Sequence, residues 1–207
     1  MKLYNLKYHT CKYIENPMQL NNINSRSECI KTSHNDTIDK QKIVILADSH
    51  GRDLGTALQS RLPSKSSVLN IFKPNATLDE VIKDIKNNCK GLTKKDCLII
   101  IGGTNDIDQN GCILDIKEIL RKISSLTTHT NVLMSCIPLR YDNPKLNVLI
   151  RKININICMS VLEYDHITLI IVYSFNRSQY TRQGLHFNKH GKNVFSKNIS
   201  EHCKRFL

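Results

Sequence analysis

Five short apolar runs organise the chain from residue 42 onward: 42–47 (KIVILA), 67–72 (SVLNIF), 97–101 (CLIII), 131–137 (NVLMSCI) and 166–174 (HITLIIVYS). Each is rich in Val, Ile or Leu and nearly continuous rather than alternating. A strand with one wet face alternates apolar and polar positions, whereas a continuous run needs both faces covered, as in a parallel sheet flanked by helices. The segments between carry the helical period. In 78–89, Leu78, Val81, Ile82 and Ile85 share one stripe, and 113–126, after Gly111, repeats apolar positions at three- and four-residue steps. The stretch 144–164 opens on Pro144, favourable in a first helical turn, and sets Leu146, Leu149, Ile150, Ile153, Ile157 and Val161 at helical spacing. Its inner 153–157 (ININI) alternates like a strand, but the longer pattern around it favours helix. Residues 189–207 read as a basic amphipathic helix. Strand and helix alternating about five times predict an α/β fold, a three-layer α/β/α sandwich on a five-stranded parallel sheet.

Residues 1–41 are polar, rich in Asn and Ser, and lack sustained periodicity. They read as a flexible arm (LYNLKYH could dock as a short strand) ahead of one domain over 42–207. The start has no continuous apolar h-region and no segment reaches the roughly 20 apolar residues of a membrane span, so the expectation is an intracellular protein. The eight cysteines form no C-x-x-C pair. With Cys97, Cys136 and Cys158 inside apolar runs, they read as buried free thiols in a reducing compartment. The formal charge of +12 points to an anionic partner or surface, and 176–207 holds much of the excess.

In a parallel α/β sheet the ligand site lies beyond the C-terminal strand ends. The first run ends in Asp48-Ser49-His50-Gly51, so Ser49 occupies a strand-to-helix turn. Taken alone it reads as a helix cap. The second run leads to the turn at Asn75-Ala76. The third leads to Gly102-Gly103-Thr104-Asn105-Asp106, where Asn105 offers a side-chain N–H. His186 precedes the last helix. Together these segments supply a serine nucleophile, a histidine base and three oxyanion donors: the N–H groups at Ser49 and Asn75, and Asn105 Nδ2.

In these stretches (ADSHG, KPNATLDEV, IGGTNDI and QGLHFNKHGK) the chain resembles blocks I, II, III and V of the SGNH (GDSL-like) hydrolase superfamily, over roughly residues 42–200. The resemblance implies a flavodoxin-like SGNH hydrolase fold, Ser49 as nucleophile, His186 as general base, and Ser49, Asn75 and Asn105 as the oxyanion hole. Asp48, Gly103, Asp106 and Gln183 would support them. It implies no cofactor and no metal, and a small carboxylic ester as substrate. Residues 137–156 are similar to esterase-like domains of arthropod non-LTR retroelements and related host genes.

Three positions depart from the family pattern. Ala47 replaces the glycine of block I. Asn75 replaces the glycine of block II, and asparagine tolerates left-handed backbone better than most residues. Gln183 stands three residues before His186, where the family has its acid. Exchanging the acid of a serine-protease triad for its amide costs about 10⁴ in turnover. Gln183 Oε1 could still orient His186 Nδ1, or a backbone carbonyl, Asp106 or Asp142 could take the acid's place. The expectation is weak or narrow esterase activity.

Other readings compete. Asp48, His50, Asp106 and His186 lack the spacing of a metal motif. An α/β-hydrolase elbow would follow several earlier strands, and DSHGRDLG is poor in Ser, Thr and Gly for a phosphate cradle. The alternative of another class is an SGNH-fold module without catalysis that binds RNA or another polyanion, chiefly through the basic C-terminal region.

Overall fold

The computed structural model describes residues 40–110, 114–172 and 174–206, so the expected arm lies outside the described residues except for its last two positions. The five apolar runs form the strands β1 (Gln41–Ala47), β2 (Ser66–Phe72), β3 (Cys97–Ile101), β4 (Asn131–Ser135) and β5 (Ile167–Ile170). All pairings are parallel, in the order β2-β1-β3-β4-β5. Every residue of β3, the central strand, is buried. Period-two alternation splits the core in two. Val44, Leu46, Leu98, Ile100, Val132 and Met134 point to one face, while Ile43, Ile45, Ala47, Cys97, Ile99 and Leu133 point to the other.

The first face is covered by α2 (Leu78–Ile82), α3 (Ile85–Asn88), α5 (Ile116–Thr127) and α6 (Asn147–Val161). The second is covered by α1 (Leu54–Gln59) and α7 (Lys189–Cys203). The expected three-layer sandwich is therefore present.

The segment 78–89 is two short helices rather than one. At the break Asp84 leaves helical backbone (φ −101°, ψ 21°), and Lys73 Nζ donates to Glu80 O at 3.0 Å, the carbonyl that Asp84 N would use in a continuous helix. The 144–164 segment is a 3₁₀ turn (Pro144–Leu146) followed by α6, so ININI is helical. A further helix, α4 (Thr104–Asn110), has no counterpart in the expectations, because TNDIDQN lacks apolar periodicity.

Strand β4 ends two residues early: Cys136 N still donates to Ile170 O, but the bonds of Ile137 go to α6. Asn154 donates from Nδ2 to Ile137 O and accepts from Ile137 N, both at 2.8 Å. Asn147 does the same for Arg140, again at 2.8 Å in each direction. Seven helical residues rise about 10.5 Å and three extended ones span about 10 Å, so two amides two turns apart match two peptides three residues apart. Asn147 and, within ININI, Asn154 thus serve as lateral partners for an extended segment.

Cys89, Cys97, Cys136 and Cys203 are buried and free. Burial pushes the Cys136 thiol up to about 12. Cys158, expected to be buried, lies on the exposed side of α6, and Cys11, Cys29 and Cys112 lie outside the described residues.

Candidate active site

Ala47 pairs with Phe72 of β2 and with Ile101 of β3, so three adjacent strands end side by side. From these ends come Ser49, the turn at Asn75, and Gly103 with Asn105. Backbone bonds continue past the strands, with Asp48 N donating to Ile101 O and Lys73 N to Ala47 O.

Ser49 opens a tight 3₁₀ turn, Ser49–Gly51, and the expected helix begins only at Leu54. Asp48 caps the turn by accepting from His50 N at 2.8 Å. A Cβ on Gly51 would lie 2.4 Å from Ala47 Cβ. The alanine at the family's glycine position is accommodated because Gly51 leaves room for it.

His186 belongs to a loop held at several points. Thr181 N donates to His186 O, Gly184 N to Thr181 O, and Tyr141 N to Gly184 O. A Cβ on Gly184 (φ +87°) would meet Asp142 N at 2.8 Å, so this close approach needs glycine. The loop brings His186 Nε2 to 2.9 Å from Ser49 Oγ, across 137 residues of sequence. Burial, then the neighbouring His50, pushes the His186 pKa below the usual histidine value; Arg52 and Lys192 act the same way and Asp48 against them. A base that stays neutral can accept the serine proton.

Asn75 adopts left-handed backbone (φ 60°), the conformation expected of the residue replacing glycine. Asn105 Nδ2 donates to Ala76 O at 2.9 Å, which ties the third strand's loop to the second's and leaves its other N–H for a ligand. Gly103 (φ +102°) sits against Ile137, whose Cδ1 would be 2.7 Å from an added Cβ. Asp106 Oδ2 accepts from Leu78 N at 2.9 Å, pinning the start of α2. Its carboxyl is raised by burial.

No carboxylate hydrogen-bonds to His186 among the described residues. Asp106 is committed to Leu78, and Asp142 pairs with Arg140, which lowers its pKa. Gln183 does not orient the base either. The Gly184 N to Thr181 O bond closes a β-turn with Arg182 and Gln183 at its central positions, and both are exposed.

The residue that sequence reasoning weighed only as a metal ligand, and gave no part beside the base, is His50. It is 2% exposed, its Nδ1 lies 3.1 Å from Asp48 Oδ1, and its Nε2 lies 3.3 Å from Leu185 O. Its ring centroid is 5.4 Å from that of His186. Only its place beside the serine and Asp48 could have drawn notice, since Leu185 lies 135 residues away. Among the described residues no three His, Cys, Asp or Glu side chains are grouped to hold a metal.

No protein-family model matches the chain, and no curated protein matches it. Solved structures do. A lipolytic protein of the G-D-S-L family from Veillonella parvula is 17% identical with a TM-score of 0.68, over 80% of this chain and 99% of that one. A lipase/acylhydrolase from Enterococcus faecalis is 16% identical with a TM-score of 0.65, over 80% and 96%. An inhibitor-bound aryl esterase from M. smegmatis is 13% identical with a TM-score of 0.63, over 81% and 100%. With its five parallel strands and flanking helices, the chain has the α/β fold of the SGNH hydrolases.

Proposed function

We propose that this chain is a serine esterase of the SGNH type, cleaving a small carboxylic ester by acyl transfer through Ser49. The observation that carries the reading is the 2.9 Å contact of Ser49 Oγ with His186 Nε2 at the C-terminal edge of the sheet. As Oγ bonds the ester carbonyl carbon, His186 Nε2 takes the serine proton and the carbonyl electron pair moves onto oxygen. The Ser49 and Asn75 N–H groups and the second Asn105 Nδ2 N–H form the oxyanion hole. Collapse expels the alcohol, which takes the proton from His186. Water, deprotonated by the same base, then releases the acid and regenerates Ser49.

Without a carboxylate on His186 Nδ1, the imidazolium loses its nearest stabiliser, so turnover is slow. An aryl esterase among the structural neighbours supports aryl esters as probes. Hydrolysis of a short-chain aryl ester should fall to the uncatalysed rate in Ser49→Ala; equal hydrolysis by the variant would overturn the reading. The narrower kinship with retroelement esterase-like domains rests on residues 137–156 alone.

A second reading, binding of RNA or another polyanion, has one observation in its favour and is not favoured by the neighbours. A cavity of about 300 Å³ at the N-terminal strand ends, opposite Ser49, is lined by Lys40, Lys42, Lys65 and Lys95. Of the C-terminal basic residues, Arg177 is engaged with Thr181 O and Arg182 O, and Lys192 with Asp53. RNA affinity governed by phosphates would fall with salt at a log–log slope of about −0.7 per phosphate neutralised.

A further inference from the structure

The base of this site has no acceptor on Nδ1 among the described residues, yet a second histidine and a fully buried carboxylate lie against it. Asp48 is 0% exposed and the nucleophile's immediate neighbour. Its Oδ1 is shared by His50 N and His50 Nδ1, while its Oδ2 is buried without a hydrogen-bond partner. A buried carboxylate left half-satisfied needs a counter-charge close by. Among the described residues, the side chain that hydrogen-bonds to it is that of His50. Both of its ring nitrogens face oxygens, Asp48 Oδ1 at 3.1 Å and Leu185 O at 3.3 Å.

We propose that His50 is the positioning residue of the candidate base. Bridging Asp48 Oδ1 and Leu185 O, it fastens the peptide that carries His186 to the turn that carries Ser49. The path forms a closed ring: Ser49 to His186 through Oγ and Nε2, His186 to Leu185 by the peptide bond, Leu185 O to His50, and His50 back to Ser49 along the chain. A shift of about 1 Å in such an alignment can cost a hundredfold in rate. Here the restraint acts on the backbone of the base rather than on its Nδ1, which lets the missing acid be tolerated. His50 also packs edge-on against Phe187 at 5.2 Å, the residue following the base.

Both His50 and Asp48 act on the titration of His186. Asp48 favours its imidazolium, while His50, Arg52 and Lys192 oppose it, and Lys192 is itself paired with Asp53. Replacing His50 by a phenyl ring should therefore raise the pKa of His186, because the neighbour that most opposes its protonation after burial is removed while Asp48 remains. A residue that only filled space would leave that value where it is.

This inference rests on the esterase reading for its kinetic arm, but not for its titration arm. The experiment compares wild type with His50→Phe and His50→Gln, following the His186 ring by NMR as pH is varied and, in parallel, kcat and KM on a short-chain aryl ester. His50→Phe, which keeps the ring packing, should move the His186 titration upward and lower kcat about tenfold to a hundredfold with KM little changed. His50→Gln, whose amide can still donate to Leu185 O, should recover most of the lost kcat while leaving the titration raised. An unmoved His186 titration in both folded variants, or equal kcat losses in both, overturns the proposal. If no variant and no wild type hydrolyses ester, the esterase reading fails and the titration alone decides the role of His50.

Discussion

Gln183 stands where the SGNH pattern places its acid, and the fold gives it no part in the site. The Thr181–Gly184 turn leaves it exposed, with no hydrogen bond to His186 among the described residues. Its amide therefore neither selects the tautomer of the base nor stabilises its cation. Gln183→Ala should leave kcat/KM within about twofold of wild type, the range that 0.5 kcal/mol allows. A loss of tenfold or more in the aryl-ester assay would mean that the turn rearranges to bring the amide onto Nδ1. The departures at Ala47 and Asn75 are resolved differently. Ala47 fits because Gly51 has no Cβ, and Asn75 takes the left-handed backbone that the family's glycine would supply.

Helix α6 shows how an element can satisfy a chain that leaves the sheet. Cys136 N still donates to Ile170 O of β5, and beyond it the buried N–H and C=O of Ile137 go to Asn154. Leaving both unpaired costs about 1–3 kcal/mol apiece. Asn154→Ala should thus lower unfolding free energy by about 2–4 kcal/mol in chemical denaturation, while Asn156→Ala, on the exposed side of the same helix, should change it by less than about 0.5 kcal/mol. Equal effects from the two would refute the lateral bonding. The same segment leads into Tyr141, whose N–H bonds Gly184 O, so Asn154 and Asn147 also help hold the wall against which the His186 loop rests.

Across the whole molecule, what the sequence disclosed was what hydrophobic burial writes locally. Continuous runs such as CLIII announced strands covered on both faces, and the stripe Leu78, Val81, Ile82, Ile85 announced a helical face even though Lys73 divides that segment in two. Helix α4 was hidden because TNDIDQN is polar and is organised by the sheet end and by Asp106 bonding across to α2. The candidate pair Ser49 and His186 was legible from strand-end logic and family resemblance together. The contribution of His50 was not, because it depends on a contact spanning 135 residues and on Asp48 being buried, neither of which has a local signature. The charge excess showed in composition, but the gathering of Lys40, Lys42, Lys65 and Lys95 around Asp96, at the end of the sheet opposite Ser49, emerged only when three strand starts came together. The central claim is that Ser49 is an activated nucleophile despite the absent acid. Labelling of the folded protein by a fluorophosphonate probe tests this most directly: wild type should form a covalent adduct on Ser49, with none in Ser49→Ala and much slower labelling in His186→Ala. Absence of labelling in the folded wild type, or equal labelling in Ser49→Ala, would contradict it.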